Sequence, residues 1–522
     1  MFKSTLYKTV YNNCKMLKVS KFYSDSCIFE VDTTYYCNKD NEKEIKHNIE
    51  IRKGVGNIRK VLEVYDEFKD VKISDKKYQP LLEQLYLELE KLPNKTHPLV
   101  RDYKEDPVII HTINQKRTFS NEPLEFSEIT EKLNIMRTDK LGITCGNKSY
   151  CYLGELAEVE EALIKYTVSK LLKKNYLLIS VPDILPHTVL QGCGMTPNSH
   201  RTQMYALDPA LHGPNLYLSG TAEMSLAGLL MNSIHEIKKL PLKLAAVSRC
   251  YRAETSSVVE ERGTYRVHQF TKVEMFTVTT PDQSDQMLEE VRKTQEELFT
   301  ELGLHMRVLD MPPHELGAPA YRKYDIEAWM PGRKNFGEIS SCSNCTDYQS
   351  RRLNIKYIDR NTKSFAHTLN GTACAIPRML IALVETHQDA KGFSVCTFSW
   401  GGIKSFLRSS SFAFLACTCF SSFSCLLLAL FCSSLRKYSP VANSLSILLS
   451  GCGGGKGVYG FFLTLFLGCF RGTFLLLKDG RNLSQLSFFS LGSFINSRFI
   501  IRLLILYMGC IFFIVSSTIL LT

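Results

Sequence analysis

Residues 242–278 read LKLAAVSRCYRAETSSVVEERGTYRVHQFTKVEMFTV. Two strand-like runs, LKLAAVSRCYRAE and YRVHQFTKVEMFTV, flank a polar connector, which predicts an outgoing strand and a returning one. Further along, RVLDM, YDIEAWM and FAHTL are strand-like too, and helices are expected over 222–240, 284–303 and from Ile376 to about His387. Several consecutive strand runs without regular βαβ alternation predict an antiparallel sheet flanked by helices, an α+β domain.

Upstream, residues 155–172 place Leu156, Val159, Leu163, Tyr166 and Leu171 on one helical face, and YLLISVPDILP follows as a buried strand ending at Pro182. Ile58, Val61, Tyr65 and Phe68 recur at helical spacing, and Leu82, Leu85, Leu89 and Leu92 repeat the pattern after a polar turn. Two opposed stripes predict a short antiparallel helical hairpin within 45–100, each arm about 20 Å long at 1.5 Å per residue. LPNKTHP ends it, and residues 25–50 read as loop and short elements.

The 522 residues suffice for two or three domains. The net charge of +11 is unevenly placed: residues 393–522 hold ten Lys and Arg against one acid, Asp479. The body is therefore nearly neutral, and any polyanion it binds must meet local patches instead of a general positive field. Residues 1–24 contain five Lys, several hydroxyl residues and no acid, the composition of a mitochondrial presequence or of a flexible basic N-terminus. Scattered thiols in the body suit a reducing compartment such as the matrix. After Gly392 the runs Phe412–Phe431, Tyr459–Leu477 and Phe499–Thr522 are mainly apolar and close to bilayer length. They read either as membrane segments or as a retained intron or shifted frame, because they show little of the patterning a folded domain needs.

The connector of the opening segment carries chemistry. Arg252, Glu254, Arg262 and Arg266, closed by Phe270, form either a solvated surface hairpin or a seat for a nucleotide's phosphates and base. Arginine suits phosphate because its planar fork donates two hydrogen bonds and stays charged. NGTACAIPRMLIALVE (370–385) sets Arg378 where a strand meets a helix, able to stack on the same base. YLSGTAEMSLAG (217–228) sets Thr221 and Glu223 at a helix start, as an N-cap with a first-turn acid or as a seat for an ammonium group.

Together these segments resemble motifs 2 and 3 of the class II aminoacyl-tRNA synthetases, and among them the seryl-tRNA synthetases of animal mitochondrial type. GCGMTPNSH (192–200), residues 301–333, FGEISSCSNCTDYQSRR (336–352) and HTLNGTACAIPR carry the resemblance, which extends over roughly 45–392. It implies a catalytic domain over 101–392 that activates serine with ATP and passes it to tRNA(Ser), without zinc or a protein nucleophile. It assigns Arg252 to the serine carboxylate and α-phosphate, Glu254 to the adenine amino group, and Phe270 and Arg378 to the two adenine faces. Arg266 falls on the γ-phosphate, and Glu338 and Ser341 on a Mg2+ ion. Thr221, Glu223, Glu274, Asn370 and Thr372 fall on the serine pocket, with Glu274 and Thr372 towards the hydroxyl. A homodimer is implied, with residues 155–182 at the position of the dimer-forming motif 1.

Two departures stand out. The hairpin is shorter than the family's tRNA-binding arm, although Lys60, Lys69, Lys72, Lys76 and Lys77 remain to meet phosphates. At Gly392 an unrelated tail begins. Cys342 and Cys345 form a CxxC without a second pair, and His268 and His367 read as core or pocket-wall residues. Two other readings compete: a non-catalytic synthetase-like paralogue that binds RNA or protein, and a membrane protein defined by its tail. Retention of the ATP and serine ligands argues against the first.

Overall fold

The computed structural model describes residues 29–138, 141–195, 204–254, 263–389, 392–393, 473–477 and 486–490. The expected presequence (1–24), Arg262, residues 196–200 and nearly all of the tail lie outside the described residues. The chain divides into two units, Met1–Ser405 and Phe406–Thr522. In the second, Thr473–Leu477 pairs antiparallel with Leu486–Ser490, so the end of one bilayer-length run is strand. No helix among the described residues is long and apolar enough to cross a membrane.

Helix α1 (Glu42–Ile51) falls where loop and short elements were expected. Its apolar stripe is only Ile45 and Ile49, one turn apart and both buried; Ile51 stands at the helix end and the other seven residues are polar or charged. α2 (Ile58–Phe68) and α3 (Tyr78–Glu90) form the expected hairpin. Asn57 caps α2 by accepting from the Arg59 and Lys60 amides. Ile45, Ile49, Ile58, Val61, Leu85, Leu89 and Leu92 fuse the three helices into one small core. Arg52, 5% exposed, ties that core to the larger domain. Its guanidinium donates to the carbonyls of Asn94 (2.8 Å), Ala320 (3.0 Å) and Gly317. Asn94 Nδ2 continues the seam to the carbonyls of Pro319 (2.8 Å) and Cys345 (2.9 Å).

The main sheet has eight strands: β1 (Val108–Ile113), β2 (Leu177–Ile179), β3 (Leu242–Tyr251), β4 (Gln269–Thr279), β5 (Met306–Asp310), β6 (Arg322–Met330), β7 (Asn335–Asn344) and β8 (His367–Ala375). Their order is β1-β5-β6-β7-β8-β4-β3-β2. Every neighbouring pair is antiparallel except β2 with β3, so the expected antiparallel sheet is mixed at one edge. β3 and β4 are the two runs of the opening segment, registered Leu242 to Val278 through Tyr251 to Gln269.

Helices α4 (Glu155–Lys173), α6 (Ser284–Thr300) and α8 (Ile376–Thr386) pack on the sheet through Leu156, Leu163, Val291, Phe299, Leu380 and Val384, all essentially inaccessible. The strand expected to end at Pro182 is short, and Leu178 on it is 39% exposed, because β2 is an edge strand. The helix expected over 222–240 stops early: α5 spans Ala222–Leu229, and a short strand, Ile234–Glu236, follows. Asn232 turns the chain at φ 59°, donating its amide to the Leu353 carbonyl, so a tertiary contact overrides the apolar run. A short helix, α7 (Tyr348–Leu353), lies between β7 and β8 in sequence.

Candidate active site

β3, β4, β7, β8 and α8 converge on one open cavity. Arg252, Glu254, Arg266, Phe270, Glu338, Ser341, Thr372 and Arg378, all singled out in the sequence, line it together with Tyr265 and Lys272. A hairpin spread over solvent would not gather these groups around one concavity, so the surface reading of 250–270 is set aside for its described residues.

Each side chain is placed by its element. Arg252 follows the last residue of β3; its amide donates to the His268 carbonyl (2.9 Å) and its guanidinium carbon stands 5.4 Å from the Phe270 ring centroid. Glu254 is 5% exposed and accepts from Arg266 Nη1 at 3.5 Å. Arg378, in the first turn of α8, reaches back to β7: Nη1 lies 3.1 Å from Glu338 Oε2 and donates to the Glu338 carbonyl at 3.2 Å. Its guanidinium also covers Tyr265, 4.5 Å from the ring centroid, while the Tyr265 hydroxyl donates to the same Glu338 carbonyl (3.2 Å). Burial alone pushes Glu338 up, but Arg378, Lys323 and Arg252 outweigh it and hold the carboxyl below its ordinary range.

Behind Lys272 and Thr372 lies a second cluster built on β4, α5 and β8. Thr221 is the N-cap its position allowed, and it also reaches into this cluster. As N-cap of α5 it accepts from the Glu223 amide (3.3 Å), and its hydroxyl donates to Glu274 Oε2 (3.0 Å). Thr372 donates to Glu274 Oε1 at 3.4 Å, and Lys272 makes an ion pair with Glu274. Glu223 Oε1 accepts from Gln349 Nε2 (2.7 Å) and Asn370 Nδ2 (2.9 Å). Burial and the neighbouring Glu274 push Glu223 up to about 7, against the pull of Gln349, Lys272 and Asn370. Gly371 is required beside this cluster: a Cβ there would meet Val291 Cγ1 at 2.5 Å, because α6 crosses directly above the strand.

Sequence reasoning did not single out Lys272, Tyr265 or Gln349. Lys272 alternates with Glu274 along β4, which is the one signal that places it on the same face. Gln349 and Tyr265 carry no such signal, since their partners come from distant elements. Cys342 sits in the main core, and Cys345 accepts from Asn370 Nδ2 at 3.5 Å; burial pushes both thiols up. Among the described residues no three His, Cys, Asp or Glu side chains are grouped to hold a metal. His268 and His367 do not line the cavity; they are hydrogen-bonded to the Arg252 carbonyl (2.9 Å) and Ser284 Oγ (2.9 Å).

The donor set at Glu338 and Ser341 suits a hard cation. Asp325, the register partner of Ser341, holds a buried Oδ1 without a hydrogen-bond partner and lies within electrostatic range of Glu338. Two carboxylates and a hydroxyl are an oxygen-only set, the kind Mg2+ takes alongside phosphate oxygens.

The tRNA synthetase class II core domain (G, H, P, S and T) matches residues 205–387. Over 316 residues the chain is 49% identical to the mitochondrial serine–tRNA ligase of Bos taurus, an alignment covering 60% of this chain and 61% of that relative's length. Identity to the serine–tRNA ligase of Borreliella afzelii (strain PKo) is 35% over 407 residues, 74% of this chain and 94% of that one. The seryl-tRNA synthetase from Pyrococcus horikoshii, solved in complex with ATP, superposes with a TM-score of 0.56 at 29% identity, covering 69% of this chain and 87% of that one. The eight-stranded sheet, the convergence of β3, β4, β7 and α8 on one cavity, and near-complete coverage of a bacterial relative lead to one assignment: the chain belongs to the serine–tRNA ligase family, built on a class II synthetase core.

Proposed function

We propose that the chain is a mitochondrial serine–tRNA ligase: it activates serine with ATP to seryl-adenylate and transfers the seryl group to the 3′ end of tRNA(Ser). The observation that carries this reading is the junction of two chemistries at Lys272 and Thr372. On one side is an arginine-rich cavity fit for a triphosphate; on the other, paired carboxylates and threonines fit for an ammonium and a hydroxyl.

In this reading Arg252 meets the serine carboxylate and the α-phosphate, where negative charge develops as pyrophosphate leaves. Glu254 accepts from the adenine amino group and Arg266 holds the γ-phosphate. Adenine enters between Phe270 and Arg378, displacing the Arg252 guanidinium from the Phe270 face. Glu338 and Ser341 would hold Mg2+, which when bound would neutralise phosphate charge. Thr221, Glu223 and Asn370 seat the serine ammonium, while Glu274 and Thr372 read the hydroxyl. A pocket that hydrogen-bonds a hydroxyl rejects alanine because its buried polar groups would otherwise stay unpaired.

Several features support the remaining expectations. Leu172, Leu178 and Ile184 are 43%, 39% and 50% exposed around α4 and the β2 edge, a surface suited to a homodimer. The hairpin of α2 and α3 serves as the tRNA arm. Lys72, Lys76 and Lys77 at its tip are exposed, whereas Lys60 and Lys69 are engaged by Glu88 (2.9 Å) and Asp66 (2.8 Å). The mitochondrial relatives and the basic residues 1–24 support a matrix location. Residues 393–522 are read as lying outside the catalytic domain, and peptide mass spectrometry of the native protein tests whether they are translated.

Serine-dependent exchange of labelled pyrophosphate into ATP is the test. Exchange with serine but not alanine or threonine, abolished in Arg252→Ala, is expected. A folded chain that shows no exchange would overturn the ligase reading in favour of a non-catalytic paralogue.

A further inference from the structure

Two carboxylates, Glu223 on α5 and Glu274 on β4, share one buried pocket, and like charges so placed resist simultaneous ionisation. Lys272 stands beside them, 6% exposed, with its ammonium on Glu274 Oε2. The other charged or titratable neighbours are Arg252 and Cys250 at the end of β3, Cys193 and Cys345 on the Glu223 side with Arg52 beyond them, and Glu254, Arg266, Glu338 and Arg378 around the cavity that Lys272 lines. All three thiols are pushed up by burial, and Lys272 is the cation in contact with the carboxylate pair. Arg252 is committed to the ATP cavity, over Phe270.

Lys272 also divides the labour of Glu274. Oε2 is filled by the lysine and by the Thr221 hydroxyl (3.0 Å), whereas Oε1 has only the long bond from Thr372 (3.4 Å). The carboxylate is thereby fixed with one oxygen saturated and the other able to accept from a third hydroxyl.

We propose that Lys272 is a positioning residue of the amino-acid seat: it offsets the charge of Glu274 and turns Oε1 towards the substrate hydroxyl, leaving Glu223 as the carboxylate that receives the substrate ammonium. This rests on the ligase reading above and assigns to Lys272, which lines the cavity, a role exerted through Glu274. Without the lysine, Glu223 and Glu274 form an uncompensated pair that retains a proton to higher pH. The seat then competes with that proton for the ammonium, and Glu274 is free to rotate away from the hydroxyl.

The test measures kcat/KM for serine, in pyrophosphate exchange by the full chain, from pH 6 to 9 for the wild type, Lys272→Gln and Lys272→Arg. Because kcat/KM reports the free enzyme, its acidic limb follows the unliganded carboxylate pair. In Lys272→Gln the limb is expected to move up by about one pH unit or more, and preference for serine over alanine to fall at least tenfold, while the KM for ATP stays within about threefold. Lys272→Arg, which keeps the charge, is expected to hold the limb in place. A Lys272→Gln limb unmoved, with activity reduced equally at every pH or not at all, overturns the proposal. So does an equal rise in the KM for ATP and serine, which marks a general packing defect. Wild-type chain inactive with serine removes the ligase reading and this role with it, whereas active wild type with an unshifted variant removes this role alone.

Discussion

Gln349 Nε2 lies 2.7 Å from Glu223 Oε1, and Gln349 Oε1 in turn accepts from the Thr368 hydroxyl at 2.7 Å. The glutamine is fully buried on α7, so its amide is locked by β8 on one side and fixes the carboxylate on the other. A hydrogen bond to a charged group contributes about 1.5–3 kcal/mol. Gln349→Ala is expected to raise the KM for serine roughly 10- to 100-fold, at about 1.4 kcal/mol per decade, and to leave the KM for ATP unchanged. Steady-state exchange kinetics for both substrates checks this, and a shared loss for ATP and serine would contradict it.

The arm is predicted to depend on one arginine. Arg52 donates to the carbonyls of Asn94, Ala320 and Gly317, and burial pulls its pKa down to about 10. Arg52→Ala removes those donors and leaves buried carbonyls unpaired, a loss of about 3 kcal/mol. Lysine keeps the charge without the fork, so Arg52→Lys is expected to recover less than half of the loss. Urea unfolding of both variants measures it.

Gly332 is predicted to admit no side chain. An ideal Cβ there would run into the Leu124 carbonyl and lie 2.6 Å from Glu125 Cα, both backbone atoms. Its amide donates to Glu385 Oε2 (2.9 Å), a buried carboxylate that also accepts from the amides of Phe126 (3.0 Å) and Arg333 (3.2 Å). Gly332→Ala forces that junction apart, and overpacking of this kind costs about 1–3 kcal/mol. A thermal midpoint equal to that of the wild type would refute the prediction.

How much of this was legible depends on where each side chain finds its partners. Arg252, Arg266 and Phe270 sit on or beside strands that pair with each other, so alternation and the motif around them already point to one face. Arg378 was legible because a strand-to-helix junction is a local feature. Helix α1 was not, since Ile45 and Ile49 are too few to make a stripe until α2 and α3 cover them. The end of α5 was hidden for the opposite reason: the apolar run continues, and only the Asn232 amide on the Leu353 carbonyl stops it. Gln349, Tyr265 and Lys272 acquire their roles through residues that the sheet brings from elsewhere, and no spacing announces that.

Acidic pH should weaken serine use through Glu223. Its carboxyl is held up to about 7 by burial and by Glu274, so it is charged above that pH and largely neutral one unit below it. The substrate ammonium needs the charged form. For the wild type, kcat/KM for serine is therefore expected to fall towards tenfold per pH unit as pH drops below about 7. Glu223→Gln keeps a hydrogen-bond acceptor and removes the titration. Its profile should be flat between pH 6 and 8 and lie roughly 100-fold below the wild-type plateau, about 2.7 kcal/mol. The two curves therefore converge at acid pH, where the wild-type carboxyl has become as neutral as the amide. An acidic limb that survives unchanged in Glu223→Gln would place the titration elsewhere.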